Sequence, residues 1–317
     1  MTTYFQASGV EVAIWIPPLV ALAVSFCTSM GGVSGAFLLL PFQVSVLGYT
    51  APSVSATNQV FNVVAIPGGV WRYVREGRMI WPLCLIVLAG SLPGTLVGAL
   101  TRITYLRDPG LFKVFVALVL LYVGGRMIRD LTRAQARSQK SAVVERHFQT
   151  LARHQRQEPM SPDQLPAVVV RTFTSRRTSY EFCGERFEFS TIGAVALSFG
   201  VGIVGGIYGI GGGAVIAPLL VAFFGLPVYT IAGTTLLSTF VTSVAGVGIY
   251  QGLALFHPTQ SIAPDWPLGL LFGVGGLAGM YLGARCQKYI PSRAIKWMLS
   301  AVILFIAGKY LLDLRLL

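Results

Sequence analysis

Apolar residues along this chain fall into long blocks, and the blocks come in two matching sets. The first set covers 12–47, 52–73, 80–100 and 111–128, and the second covers 191–224, 226–250, 266–283 and 295–312. A helix needs roughly 20 residues to cross a bilayer. The leading block of each set exceeds one crossing and is interrupted by a glycine-dense stretch. Each leading block therefore predicts two short helices folded as a hairpin, and the other blocks predict single spans.

The two interruptions read GGVSGAFLLLP, ending at Pro41, and GIGGGAVIAP, ending at Pro218. Aligning the two prolines places Gly32 on Gly209, Gly35 on Gly212 and Gly48 on Gly225. Each glycine costs a helix roughly 1 kcal/mol, so neither stretch supports a straight helix. The match resumes late in each set. GSLPGTLVGA at 90–99 parallels GGLAGMYLGA at 275–284, and GGRMIRDL at 124–131 parallels AGKYLLDL at 307–314. The pattern predicts an all-α polytopic membrane protein built from two repeats, 1–131 and 190–317, with a soluble insert at 132–189. The insert opens as a polar, basic, helix-capable segment. After MSPDQLP it continues as VVVRTFTSRRTSYEFCGERFEF, whose Val, Thr, Tyr and Phe content around a glycine predicts short strands.

Composition excludes a soluble protein: only 11% of residues are charged and mean hydropathy is +0.69, where a soluble domain carries roughly a quarter charged residues. The blocks are too long for the strands of a membrane barrel. Charge orients the chain. Between Arg126 and Glu188 lie 12 Lys/Arg and 7 Asp/Glu, which fits a cytoplasmic loop better than a nucleic-acid surface. Arg72, Arg75 and Arg78 lie two spans earlier and share that side. In the second half the loop 251–265 has no Lys or Arg, and the basic loop is Arg285, Lys288 and Arg293. Arg102 and Arg107, beside Asp108, run against this scheme, and Arg72, Arg102 and Arg285 read as snorkelling anchors. The halves are thus expected to cross the bilayer in opposite senses, each with two hairpin arms and three spans, with both termini outside. No basic leader precedes Pro17-Pro18, so the start reads as part of the mature protein. Cys27, Cys84, Cys183 and Cys286 are scattered, so no metal and no cofactor is expected.

A polar cluster follows each glycine stretch. Ser55, Asn58, Gln59 and Asn62 share one helical face, and the second half supplies Thr234, Thr235, Ser238, Thr239 and then Thr242. The repeat sets Thr57 on Thr234, Asn58 on Thr235 and Asn62 on Thr239. Two explanations stand: interhelical hydrogen bonds of roughly 0.6 kcal/mol each, or a substrate site where the repeats meet. The broken helices at Gly32, Ser34 and Gly35, and at Gly211 and Gly212, supply helix N-termini that bind an oxyanion without a buried cation. The remaining carboxylates (Glu11, Glu76, Asp108, Asp265, Asp313) all lie near block ends, which disfavours a cation site or a proton relay. The expected ligand is therefore a small anion. The substrate-binding set is Gly32, Ser34, Gly35, Thr57, Asn58, Gln59, Asn62, Gly211, Gly212, Thr234, Thr235, Ser238 and Thr239. An enzyme is not expected. Gly32-Val33-Ser34-Gly35 matches the GxSG of rhomboid-type intramembrane proteases, but that serine needs a histidine base. His147 and His154 lie in the insert and His257 in a loop, while Ser34 aligns with Gly211.

The doubled GGxxGxxLLxP pattern, then Gly48-Tyr49 or Gly225-Leu226, then Ala56-Thr57-Asn58 or Ala232-Gly233-Thr234-Thr235, resembles the sulfite exporter TauE/SafE family. The first copy departs from the common pattern at Ser34 and at Asn58-Gln59. The resemblance covers both membrane halves but not the insert. It implies export of sulfite, sulfoacetate or related sulfonates across the bacterial inner membrane. No ATP-binding motif is present, so an alternating-access secondary transporter is expected. An anion channel between the hairpins, and a scaffold whose basic insert binds a partner, are the alternatives. A homodimer is compatible with the flat glycine face at 275–283, which packing within the chain explains equally well.

Overall fold

Proline and glycine set most of the helix boundaries in the computed structural model, which describes residues 2–30, 34–75, 79–132, 168–212 and 215–286, together with 297, 300, 301 and 303–309. Helix α1 (Ile16–Met30) opens on Pro17 and Pro18, where a helix has no use for the missing N–H groups. Helix α2 (Ala36–Ser45) returns, and the chain turns at Gly48. Helices α3 (Ser53–Ala65) and α4 (Pro67–Arg75) are separated at Pro67, which cannot donate to the helical ladder. Helices α5 (Trp81–Thr104) and α6 (Pro109–Thr132) complete the described part of the first half. In the second half α7 (Thr191–Tyr208) begins with Ser190 Oγ accepting from Gly193 N at 3.1 Å. It stops at Gly209, whose φ is +78°. Helices α8 (Ile216–Phe224), α9 (Val228–Phe256) and α10 (Trp266–Cys286) follow, and 303–309 are helical. Gly48 and Gly225, paired by the repeat, turn the chain with φ of +67° and +66°.

Helices α5, α6, α7, α9 and α10 are long and apolar enough to cross a membrane, and α1 and α2 are shorter apolar helices. The protein is a multi-pass membrane protein. Two expectations change, and a third is not tested. The chain before α1 is a β-ribbon, β1 (Thr2–Phe5) paired antiparallel with β2 (Val10–Ala13), so the first apolar block starts membrane structure only at Ile16 and the protein is not purely helical. The block 52–73 is broken at Pro67, whereas its counterpart α9 is continuous. The expected span 295–312 lies mostly outside the described residues, as do the first part of the insert, Arg78, Lys288 and Arg293.

Glycine steps lock the halves together. A Cβ at Gly90, Gly94 or Gly98 on α5 would collide with the carbonyl oxygens of Val195, Phe199 and Ile203 on α7. A Cβ at Gly275, Gly279 or Gly283 on α10 would collide with those of Pro18, Leu22 and Phe26 on α1. In both pairs the numbers rise together, so the helices run parallel at backbone contact. The 275–283 face is consequently occupied by α1 and is not free to join a second copy. Gly269 and Gly273 meet Val60 and Val64, so α3 runs parallel to α10. Thr234 and Ser238 meet Ile80 and Cys84, so α9 runs parallel to α5. Across the centre Asn62 meets Ser243 and Gln59 meets Gly246, so α3 and α9 run antiparallel. Thus α1, α3 and α10 point one way, and α5, α7 and α9 the other.

One end of this bundle carries the β1–β2 ribbon, held by Ser8 N and Oγ donating to Asp265 Oδ2 at 3.0 and 2.8 Å. The opposite end carries the strands the insert predicted: β3 (Val169–Phe173), β4 (Arg177–Phe182) and β5 (Glu185–Ser190), in that order. This sheet docks onto α8 and the start of α9. Tyr180 lies 3.0 Å from Thr230 Oγ1, and the Phe189 ring packs on Phe224 at 6.0 Å. Arg102 is not a snorkelling anchor. It is fully buried, its guanidinium 3.7 Å over the Phe112 ring and donating to the carbonyls of Thr50 (2.7 Å) and Leu106. It sits in the last turn of α5, where the helix dipole favours a cation, and so carries no weight as a loop charge.

Candidate functional site

The two hairpin turns approach each other at the centre of the bundle, on either side of α3. Asn62 joins them. Its Nδ2 donates to the carbonyl of Ile210 in the second turn at 3.0 Å and to Ser243 Oγ on α9 at 3.2 Å. Its Oδ1 accepts from Ser34 Oγ in the first turn at 2.6 Å. One amide therefore ties together the first hairpin, the second hairpin and the antiparallel α3–α9 pair. All of these side chains are buried.

The backbone donors freed by the glycine breaks are held by hydroxyls. Ser34 Oγ accepts from Ala36 N at 3.3 Å at the start of α2. Thr242 Oγ1 accepts from Gly212 N at 3.0 Å ahead of α8. Gly211, with φ +73°, leaves room only for Thr239 and Ser243: a Cβ there would lie 2.7 Å from Ser243 Oγ and 2.9 Å from the Thr239 carbonyl. Asn58 secures the first hairpin from behind, donating to the Ala36 carbonyl at 3.0 Å and accepting from Gln43 Nε2 at 3.3 Å. Gly35 sits against Ser25 Oγ on α1 and the Phe61 ring.

The second turn is also tied to the first half by Tyr208 and Ser55. Tyr208 OH donates to the Phe37 carbonyl at 2.9 Å, and the two rings stack at 5.6 Å. Ser55 Oγ donates to the Ile207 carbonyl at 2.7 Å. Gly209 passes so close to the backbone of Ser55 that no side chain fits there. The groups gathered at the two turns are neutral hydroxyls, amides and carbonyls.

A search of solved structures finds no match to this chain. The model of the sulfite exporter TauE/SafE family, by contrast, matches residues 18–310, a range that contains both turns, α3, α9 and the intervening insert. The chain belongs to the sulfite exporter TauE/SafE family. Over 294 residues it is 22% identical to a probable membrane transporter protein, YunE, of Bacillus subtilis, covering 90% of this chain and 92% of the relative. A probable membrane transporter protein of Xylella fastidiosa matches with the same identity and coverage. A second Bacillus subtilis relative, the probable membrane transporter protein YdhB, is 28% identical over 118 residues, 37% of this chain and 44% of its own. As a TauE/SafE member the protein is a membrane transporter.

Of the residues singled out in the sequence, the TauE/SafE fold gathers Ser34, Asn62, Gly211, Gly212 and Thr239 at the two turns, with Gly35 and Asn58 immediately behind the first. Gln59 lies one turn of α3 from Asn62, against Gly246. Others point elsewhere. Thr57 joins Tyr49 OH (3.0 Å) and Asp265 N (2.9 Å) toward the ribbon end. Thr234 accepts from Ile80 N at 3.2 Å and Ser238 lies 3.8 Å from Cys84 Sγ, both on the α5 side of α9. Thr235 Oγ1 donates to its own helix at the Ala232 carbonyl. Gly32 lies outside the described residues. Ser243, Tyr208 and Ser55 join the assembly without having been assigned to it. Ser243 extends the polar run of Thr239 and Thr242, and Tyr208 is the aromatic hydroxyl immediately before Gly209, so both left a trace in the sequence.

Proposed function

We propose that this protein is a secondary transporter that moves small sulfur-containing anions (sulfite, sulfoacetate or related sulfonates) out across the bacterial inner membrane by alternating access. The observation that carries the reading is the Asn62 amide bridging both hairpin turns. An oxyanion entering between the turns would take the place of the Ser34 and Thr242 hydroxyls on the freed backbone donors Ala36 N at the start of α2 and Gly212 N ahead of α8. The helix N-termini would then supply positive potential without a buried cation. Opposite running directions of α3 and α9, and the exchanged α1–α10 and α5–α7 pairings, support two inverted repeats about this point. Complete burial of Ser55, Asn58, Gln59 and Asn62 favours a carrier in a closed state over the continuous pore of a channel. At the sheet end the described strands carry Arg171, Arg176 and Arg177, which supports a cytoplasmic position for that end under the positive-inside rule.

The test is thermal stabilisation of the purified protein by a panel of sulfite, sulfoacetate, taurine, thiosulfate and sulfate. A sulfur anion is expected to raise the unfolding temperature of wild type and to lose that effect in Asn58→Ala and Asn62→Ala. Equal stabilisation of wild type and both variants would show that these amides only pack helices.

A further inference from the structure

Among the described residues, Gln59 is the one side-chain amide at the repeat centre that forms no hydrogen bond. Its side chain is fully buried, and neither Oε1 nor Nε2 has a hydrogen-bond partner. The side chain lies on Gly246 of α9, and a Cβ on that glycine would collide with the amide. This layer is one helical turn from the layer in which Asn62 meets Ser243. The repeat counterpart of Gln59 is Leu236, so an aliphatic side chain satisfies the same position in the other half. A buried amide with no partner is disfavoured against such an alternative, because its desolvation is uncompensated.

We infer that Gln59 is a specificity-determining residue of the substrate site, and that the substrate carries a hydrogen-bond donor of its own besides its anionic oxygens. The inference rests on the proposed transport of sulfur anions through the Asn62 site. An amide offers two complementary functions: Nε2 donates to a sulfonate or sulfite oxygen, and Oε1 accepts from a hydroxyl, ammonium or acid proton. A fully deprotonated oxyanion fills only the first. A monoprotonated oxyanion, or a sulfonate with a hydroxyl or amino group one or two carbons away, fills both. A site built to bond a substrate hydroxyl rejects the analogue lacking it, because its own polar group is then left unpaired.

The test compares 2-hydroxyethanesulfonate with ethanesulfonate, which share charge and headgroup and differ by one hydroxyl. Binding is measured on the full-length protein in detergent or nanodiscs, with wild type and Gln59→Met, which keeps the side-chain shape but not its hydrogen bonds. Wild type is expected to bind the hydroxylated sulfonate at least tenfold more tightly. Gln59→Met is expected to lose that preference while unfolding at a higher temperature than wild type without ligand. Equal affinity of wild type for the two sulfonates overturns the inference and leaves the transport proposal standing. A preference that survives in Gln59→Met also overturns it, by placing the discriminating group elsewhere. Binding of neither sulfonate by wild type refutes the sulfonate reading itself, and the inference falls with it.

Discussion

Asn62 shows how much a single side chain does in this protein. Its three hydrogen bonds reach the first turn, the second turn and α9, so truncation removes the donor to the Ile210 carbonyl and the acceptor for the Ser34 hydroxyl proton in a fully buried place. Arg102 is the corresponding case at the ribbon end. Its planar guanidinium serves the Thr50 and Leu106 carbonyls while covering Phe112, which the point charge of lysine cannot do. Arg102→Lys is therefore expected to cost about 1–3 kcal/mol through an unpaired buried carbonyl. The check is a lowered unfolding temperature at unchanged ligand-induced shift. In the sheet, Cys183 and Gly184 form the β4–β5 turn with φ of +52° and +76°. Left-handed backbone costs an ordinary residue roughly 1–2 kcal/mol, and asparagine tolerates it better. Cys183→Asn should thus raise the unfolding temperature slightly without altering transport. The polar residue types at 55–62 were legible in the sequence, but their partners were not. Thr57 and Thr234 occupy matched positions, and each accepts from the residue just ahead of a helix of the other half, Asp265 N before α10 and Ile80 N before α5, but Thr57 also bonds Tyr49 OH, whose repeat counterpart is Leu226. The loneliness of Gln59 was equally invisible, since it depends on Gly246 across the α3–α9 crossing.

At the level of helices, the glycine ladders explain why the two halves hold together. Each ladder places three glycines a turn apart against carbonyls of the first helix of the other half. Gly94→Ala and Gly279→Ala should each destabilise by roughly 1–3 kcal/mol through overpacking, and by similar amounts because their environments match. Gly248→Ala, on α9 with nothing within 4 Å of its added carbon, should be neutral or stabilising. Denaturant or thermal unfolding of the three variants checks the set. Comparable losses confined to the two ladder positions are the expected outcome. The ladders were readable as matched motifs at 90–99 and 275–284, and the hairpin halves at 191–224 came through with little change. What the sequence concealed was the choice of partner: small-residue faces say that something packs closely, not which helix does. The β1–β2 ribbon was hidden for another reason, because Val10 and Val12 alternate over too few residues to separate them from the apolar run that follows.

For the molecule as a whole, the running directions of six helices and the position of the basic segments agree. The sheet end gathers β3–β5 with Arg171, Arg176 and Arg177, whereas the ribbon end carries the loop 251–265 without Lys or Arg. Cysteines introduced at Thr174 and at Thr259 should react with a membrane-impermeant thiol reagent from opposite sides of the membrane, Thr174 from the cytoplasm. Labelling of both from one side would remove the topology on which alternating access depends. The more direct trial is counterflow of labelled sulfite in proteoliposomes preloaded with unlabelled sulfite. Wild type should show transient accumulation of label above equilibrium, the signature of a carrier, and Asn62→Ala should show none while remaining folded and inserted. Uptake without overshoot in wild type, or undiminished overshoot in Asn62→Ala, would contradict a carrier site held between the two hairpin turns.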